Sequence, residues 1–287
     1  YVVRVESLGD PAKIVSGTTE ITRSPDRLLI AEYVARFIDE AEIMKDGFSF
    51  QAGAGGINLA FVVHLKERMK AEGVKARFVR GGSTQYLVRL LEEGLTDYIL
   101  DGQAFDQEGV RSLGKNPQHV VTSPFTSYNY HGKGNFASMV DVVVLGATEV
   151  DVNFNANVVT HSDGCLLHGI GGWQDCLFAK CVILAIPSFR DRVPIIVDEV
   201  TTICGPGELI DVTVTERGIA INPARKDLQQ AVANASLPIR SVQEIQQEIY
   251  EICGGIPAKP KVDKKKVVAV VKWVDGTVLD SVFQVVE

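Results

Sequence analysis

The chain has 287 residues, of which 46% are hydrophobic and 23% are charged, with a formal net charge of −7 at pH 7. This composition is typical of a globular protein with a large core. The negative charge argues against nucleic-acid binding, which relies on clustered Lys and Arg. No apolar run reaches the roughly 18 residues that a membrane span needs, and the start does not resemble a signal peptide, so we expect a cytoplasmic protein without membrane contact.

The five cysteines and five histidines show no metal-binding spacing. Neither Cys-x-x-Cys nor His-x-x-x-His occurs, and Cys176 and Cys181, five residues apart, do not share a helix face. We therefore expect no metal site, and small buried thiols in a reducing compartment.

In chain order, residues 1–24 alternate like two short extended segments, and the first helix signal follows. Ser24 suits the N-cap, Pro25 suits the first helical position, and apolar residues continue at helical spacing to Asp39. Further predicted strands lie at 48–52, 75–80, 140–145, 181–186, 193–197 and 209–215, and further predicted helices at 56–70, 84–93, 227–235 and 242–252. Strands alternating with helices predict an α/β fold, an open and mostly parallel sheet with flanking helices.

The tail follows a different pattern. Strand-like runs at 266–272 and 278–286 flank Asp275-Gly276, a strong signal for a two-residue hairpin turn. The preceding residues, 254–266, are rich in Pro and Lys. We predict an α/β domain over residues 1–253, and a linker with a C-terminal β-hairpin appendage over 254–287.

Three glycine clusters stand where a strand could pass into a helix: Gly53–Gly56, Gly81–Gly82 and Gly169–Gly172. In a parallel sheet the carboxyl ends of the strands meet at one edge, where ligands bind. Glycine lets the backbone approach a ligand closely, and the free amides of a helix start can hold an anion or an oxyanion. Each cluster could also serve a tight turn.

The common glycine motifs are absent. Gly53-Ala-Gly-Gly-Ile-Asn58 lacks the third glycine of the dinucleotide fingerprint. The sequence contains neither a P-loop nor the Gly-x-Ser-x-Gly elbow of many hydrolases.

Several segments resemble the coenzyme A transferase superfamily. They are the run 141–151 with its Leu-Gly-Ala strand end, the motif Gly169-Ile-Gly-Gly-Trp-Gln-Asp175, and the run 212–221 with Thr-Glu-Arg-Gly. The chain is most similar to the citrate lyase alpha chain family, through Gly81-Gly82-Ser83, Phe154-Asn155, 193–194, 200–202, 206–207, 221–225 and the ending 273–287.

This resemblance implies a transferase that exchanges the acetyl group on a carrier-protein thioester for citrate. The family consists of two α/β halves with the active site between them, and this chain resembles the second half. The implied partners are the N-terminal half of the same polypeptide, the beta subunit, the acyl-carrier (gamma) subunit and citrate, in a homo-oligomer. No covalently bound cofactor is implied; the acyl thioester of coenzyme A or of the carrier arm is a substrate.

One departure bears on the mechanism. Covalent transferases carry a nucleophilic Glu in a turn that we match to residues 79–84, where this sequence has no carboxylate. The citrate lyase alpha family is thought to work without it, by direct attack of a citrate carboxylate in a ternary complex. A second departure is Trp173, where the family often has His, followed by Cys176, Leu177 and Phe178 in place of small residues. We therefore expect a different pocket floor.

Carboxylate exchange on a thioester needs an oxyanion hole, anion clamps and a groove for the carrier arm. We assign catalytic roles to the amides of Gly53, Gly55 and Gly56 and to the carboxylates of Glu149 and Asp175. The predicted substrate-binding residues are Arg80, Gly81, Gly82, Ser83, Asn155, Gly171 and Gly172, with Arg190 as a second possible clamp because a guanidinium binds two carboxylate oxygens at once.

Each assignment has a structural alternative. The carboxylates could cap helices, Asn155 and Asn157 could hold turns, and His161 and His168 could be ordinary structural histidines. Two other functions also remain open: a covalent acyl-coenzyme A transferase or hydrolase with its Glu elsewhere, and a non-catalytic half that docks the carrier and lyase subunits.

Overall fold

The computed structural model describes residues 3–10, 19–128 and 135–286. The predicted extended segments of residues 1–24 lie partly outside these ranges, and the described parts, 3–10 and 19–24, form no strand. Among the described residues, no helix combines the length and the apolarity needed to cross a bilayer.

Helices and strands alternate along the chain, as predicted. The α-helices are α1 (Pro25–Glu40), α2 (Gly56–Glu72), α3 (Gln85–Glu92), α4 (Gln107–Lys115), α5 (Pro124–Tyr128), α6 (Trp173–Cys176), α7 (Lys226–Ala231) and α8 (Val242–Cys253). The strands are β1 (Ser49–Ala52), β2 (Phe78–Ser83), β3 (Ile99–Ala104), β4 (His119–Val121), β5 (Val142–Leu145), β6 (Glu149–Asp151), β7 (Ala156–Asn157), β8 (Val182–Ala185), β9 (Phe189–Arg190), β10 (Val193–Pro194), β11 (Ile196–Val197), β12 (Val212–Thr215), β13 (Gly218–Ile221), β14 (Val262–Lys272) and β15 (Val278–Val285).

The main sheet has eight strands in the order β13-β12-β8-β5-β1-β2-β3-β4. Every neighbouring pair is parallel except β12 and β13, which are antiparallel. The predicted fold class, an open and mostly parallel α/β sheet, is therefore confirmed.

Two hydrophobic cores cover the two faces of this sheet. Along β5, Val142 and Val144 belong to the core that contains α1 and α2, whereas Val143 and Leu145 belong to the core under α8. Both sets are buried, because successive side chains of a strand point to opposite faces and here each face is covered. This double burial explains why the strand is a continuous apolar run.

Helix α1 begins where the sequence indicated. Ser24 occupies the N-cap and Pro25 the first helical position, although the Ser24 side chain makes no capping hydrogen bond. Helix α2 ends at Gly73, which adopts a left-handed φ of 65° and donates its N–H to Lys70 O and Met69 O. A left-handed glycine is a common way to end a helix because it needs no Cβ.

Strand β2 differs from the prediction, which ended the strand at Arg80. The strand continues through Gly81, Gly82 and Ser83 and pairs with β1 and β3. Gly81 has a φ of 118°, and a Cβ there would lie 2.8 Å from Ala52 O. Glycine thus allows two backbones to approach closely inside the sheet, so this cluster does not form a loop.

The C-terminal hairpin is confirmed, but its loop is longer than two residues. Lys272 pairs with Val278, leaving residues 273–277 as the loop, in which Gly276 has a φ of 92°. The hairpin packs on the second core through Val271 and Val282, both almost fully buried.

Candidate functional site

The order of strands around β1 locates the candidate site. On one side of β1 the sheet continues with β2, β3 and β4, and on the other side with β5, β8 and β12. The direction of the connections therefore reverses between β1 and β5. Ligands of open α/β sheets bind outside the carboxyl ends of the strands at such a point.

A cavity of about 820 Å³ opens at this position. We call it the switch-point cavity. It is lined by Gly53, Ala54, Gly55, Asn58, Phe105, Leu145, Gly146, Ala147, Thr148, Val158, His161, Leu167, His168, Ile170, Trp173 and Arg190. Within the part of the chain that the structure describes, this lining contains no carboxylate and no thiol. Among these described lining residues, Arg190 is the one permanent cation.

The glycine loop after β1 forms the first wall. Gly55 is the N-cap of α2 and Gly56 is its first residue, so the free amides of the helix start face this edge of the sheet. Gly53 lies against Asn58: a Cβ on Gly53 would be 2.7 Å from Asn58 Nδ2. A Cβ on Gly56 would be 2.9 Å from the backbone N of Thr22, whereas one on Gly55 would meet no atom within 4 Å. Of the three predicted oxyanion glycines, Gly53 and Gly55 line the cavity, whereas Gly56 packs against Thr22 and is not part of the lining.

The residues that follow β5 form the opposite wall. Trp173 donates its indole Nε1–H to Gly146 O at 2.9 Å, and Arg190 donates to Ala147 O at 2.9 Å and Thr148 O at 3.4 Å. The Arg190 side chain reaches solvent, but the surrounding protein partly desolvates its guanidinium, and this burial lowers the pKa of Arg190. Two backbone carbonyls therefore orient the cation at the cavity.

The loop before α6 closes the outer side. His161 and His168 line the cavity and are exposed, and His168 Nδ1 lies 2.7 Å from Gly169 O. Gly171, with a φ of 62°, and Gly172 lie between Ile170 and Trp173, which line the cavity, but neither glycine is part of the lining.

Gly81, Gly82 and Ser83 do not reach the cavity. The Phe105 ring lies directly over Gly82 and itself lines the cavity, so it separates β2 from the open space. Ser83 is fully buried and donates its hydroxyl to Asp101 Oδ2 at 2.8 Å. In this structure these three residues have structural contacts only.

Arg80 and Asp175 lie close enough to interact, and neither lines the cavity. Arg80 is only 1% exposed and donates Nη1–H to Ser127 O at 3.4 Å. Burial raises the pKa of Asp175 to about 6, although a backbone hydrogen bond and the charge of Arg80 act in the opposite direction. The neighbouring Cys176 thiol accepts a hydrogen bond from Gln51 Nε2 at 2.7 Å, and burial raises its pKa to about 12. These polar groups contact one another and are not part of the cavity lining.

Glu149, Asn155 and Asn157 hold the backbone rather than facing the cavity. The Glu149 carboxylate accepts from Asn157 Nδ2 at 2.9 Å and from the Thr201 N–H and hydroxyl at 2.8 and 3.0 Å. Asn155 donates Nδ2–H to Asp151 at 3.0 Å and accepts from the Gly207 N–H. The side chains of Glu149, Asn155 and Asn157 thus form hydrogen bonds that hold neighbouring turns and strands together.

Within the described ranges, no cluster of three or more His, Cys, Asp or Glu could hold a metal ion.

Cys176, Cys181 and Cys204 are buried, as expected. The expectation of buried thiols is wrong for Cys165, which is exposed, and Cys253 is half-buried. Both lie in segments outside the main sheet.

Sequence reasoning missed several lining residues: Asn58, Phe105, Thr148, Val158 and Leu167. Asn58 could have been predicted, because it stands two residues after the glycine loop. Phe105 could not have been predicted from its local sequence, because its position over Gly82 depends on the pairing of β2 with β3.

Comparisons with known proteins agree with one another. The family model "Citrate lyase, alpha subunit (CitF)" matches residues 1–285. The citrate lyase alpha chain of Haemophilus influenzae is 41% identical over 287 residues, covering 99% of this chain and 57% of the relative. That of Klebsiella pneumoniae is 40% identical over 285 residues, covering 99% and 56%. The chain thus spans about half the length of these relatives.

Solved structures give the same result. A citrate lyase alpha subunit from Streptococcus mutans, in complex with citrate, matches with a TM-score of 0.94 and 41% identity over 99% of this chain and 56% of that one. A 4-hydroxybutyrate CoA-transferase from Porphyromonas gingivalis matches with a TM-score of 0.51 at 18% identity, over 81% of this chain and 57% of that one. The second likeness concerns the fold alone. The chain belongs to the citrate lyase alpha subunit family.

Proposed function

We propose that this protein exchanges the acetyl group of a carrier thioester for citrate, giving a citryl thioester and acetate, and that the exchange takes place at the switch-point cavity. One observation carries this proposal. The cavity is built of glycine and apolar walls with a helix start and one oriented cation, and its described lining offers no carboxylate. Such a site suits an anionic acceptor and an acyl thioester better than a covalent glutamyl route.

The chemistry balances without a protein nucleophile. A citrate carboxylate oxygen attacks the thioester carbonyl, a C–O bond forms, the C–S bond breaks, and the electron pair leaves with the carrier sulfur. The resulting thiolate attacks the citryl carbonyl of the mixed anhydride, a C–S bond forms, and acetate leaves. Both steps pass through an oxyanion, for which the free amides at the start of α2, beside Gly55 and Gly56, are suitable donors.

Asp175 and the partners are part of the same proposal. Because Asp175 does not line the cavity but lies on α6 with Trp173, which does, we assign it a positioning role for α6 rather than contact with substrate. The thioester of coenzyme A or of a carrier arm is proposed as a substrate and not as a bound cofactor. The beta subunit, the acyl-carrier subunit and the remainder of the polypeptide are proposed partners, and the citrate bound by the Streptococcus mutans relative supports citrate as acceptor.

The test is an acyl-exchange assay on the full-length protein. Labelled acetyl thioester and citrate are mixed, citryl thioester is read by mass spectrometry, and borohydride is added in parallel to trap any glutamyl thioester. We expect citryl product and no trapped adduct. A trapped adduct overturns the direct route and favours the covalent one, and the absence of exchange favours a docking half.

A cavity-filling variant locates the reaction. A Cβ on Gly146 would meet no atom within 4 Å, so the backbone has room for a side chain there, and Gly146→Val adds bulk to the cavity. We expect it to abolish exchange and leave the unfolding midpoint near that of the parent. Gly114→Val is the matched control, since Gly114 is exposed, equally free of neighbours and remote from the cavity lining. Normal exchange in Gly146→Val would place the reaction elsewhere.

A further inference from the structure

A second, smaller recess of about 230 Å³ adjoins the switch-point cavity and shares Gly55, Asn58, Gly146 and Arg190 with it. We call it the arginine recess, because Arg27 and Arg190 both line it. None of the functional residues predicted from the sequence, apart from the glycines and Arg190, lies there. A ligand in the cavity could extend into it past Asn58.

The charge of the recess is unbalanced. Arg27 comes from the first turn of α1 and Arg190 from β9, and no acidic side chain is among the described residues that line the recess. The two cations are close enough that Arg27, after burial, is the second cause lowering the pKa of Arg190. Two guanidinium groups that line one recess without a carboxylate repel, and a bound anion would relieve this repulsion.

The hairpin that carries Arg190 is held in a constrained shape. Residues Asp191 and Arg192 form the turn between β9 and β10, and both adopt left-handed φ values, of 47° and 64°. Non-glycine residues adopt such angles at an energetic cost, and they persist where surrounding structure enforces them. Together with the carbonyls of Ala147 and Thr148, this turn keeps the Arg190 guanidinium at the recess.

Asn58 provides an independent sign of a missing partner. It is the third residue of α2 and only 9% exposed, and its Oδ1 is buried with no hydrogen-bond partner. A buried acceptor in this state is unfavourable unless a donor reaches it. The same side chain lines both the recess and the cavity, beside the positive end of a 17-residue helix. A ligand donor such as a hydroxyl would satisfy this acceptor.

From these contacts we infer that the arginine recess is a specificity subsite for a hydroxy-polycarboxylate acceptor. Arg27 and Arg190 bind a carboxylate that does not react, Asn58 accepts the ligand hydroxyl, and the reacting carboxylate lies in the switch-point cavity. This inference rests on the proposed exchange and deepens it. It assigns acceptor selection to three side chains that come from α1, α2 and β9.

The test separates acceptor binding from turnover in the full-length protein. Citrate affinity is measured by calorimetry and acetyl-thioester affinity by competition, for the parent, Arg27→Gln, Arg190→Gln and the control Arg89→Gln. Arg89 is exposed on α3, donates to Gln85 and lines neither the recess nor the cavity. We expect both recess variants to weaken citrate binding by about 10-fold or more, as for loss of a charge-assisted hydrogen bond, with thioester affinity unchanged and the control like the parent.

The hydroxyl is tested with propane-1,2,3-tricarboxylate, which is citrate without its hydroxyl group. The parent should prefer citrate, and Asn58→Leu should remove this preference while both acids still bind. Unchanged citrate affinity in both arginine variants, or an unchanged preference in Asn58→Leu, would overturn the subsite. Arginine-dependent citrate binding in a protein without exchange would support the subsite and overturn the proposed function. A parent that binds no citrate would overturn both.

Discussion

Replacing Gly82 with alanine would place a Cβ 1.4 Å from Phe105 Cε2 and 1.8 Å from Cδ2. Since apolar carbons rest about 3.5–4 Å apart, the ring would have to move by roughly 2 Å. The φ of Gly82 is not positive, so the clash with the ring is the main cost. The backbone of Phe105 is held by its N–H bond to Ser83 O at 2.9 Å, so the adjustment falls mainly on the ring, which borders the cavity. We expect Gly82→Ala to lower the free energy of unfolding by about 2 kcal/mol, in the usual range for overpacking.

Urea unfolding followed by circular dichroism measures this change, provided that the m-value stays constant. In a Phe105→Ala background the same Gly82→Ala substitution should cost almost nothing, because the ring is gone. Gly114→Ala is the matched control: it meets no atom within 4 Å in helix α4 and should be neutral or up to about 1 kcal/mol stabilising. An equal cost of Gly82→Ala in both backgrounds would refute the contact as its cause.

Three further predictions concern titratable side chains. Burial raises the pKa of Asp175 to about 6, so between about pH 4 and 6 the folded state binds a proton that the unfolded state has lost. The free energy of unfolding should therefore fall as the pH rises through this window. Urea titrations of Asp175→Asn should show no such fall. Burial also acts to raise the pKa of Asp101, but hydrogen bonds from His119 and Ser83 outweigh it and the pKa lies below its ordinary value. Asp101→Asn should therefore cost about 1–3 kcal/mol at neutral pH, a difference that shrinks as acid protonates the parent, and a constant difference would contradict this. Exposed Cys165 should react with Ellman's reagent well before the buried thiols, and persistence of the fast phase in Cys165→Ser would show that another cysteine is accessible.

Local patterns predicted much of the fold. The Ser24-Pro25 start of α1, the alternation of strands and helices, and the hairpin around Gly276 each depend on neighbours within a few residues. Such features are readable because periodicity, capping and turn conformation act over short distances. The placement of the chain as the second of two halves, and the boundary near residue 253, stay predictions.

Tertiary structure decided the site. Gly53 and Gly55 line the cavity because they directly follow a central strand. Gly82 does not, because it pairs with Gln103 of β3 inside the sheet and lies under Phe105.

The motif carboxylate Glu149 was likewise engaged by Asn157 and by Thr201, 52 positions away in sequence. Arg27, Asn58 and Arg190 converge only because β5 and β8 pair on the side of β1 away from β2. Strand order results from long-range packing of whole faces. The sequence by itself therefore determined the elements and the glycine loop, whereas the lining of the cavity and the meeting of the two arginines required the assembled sheet.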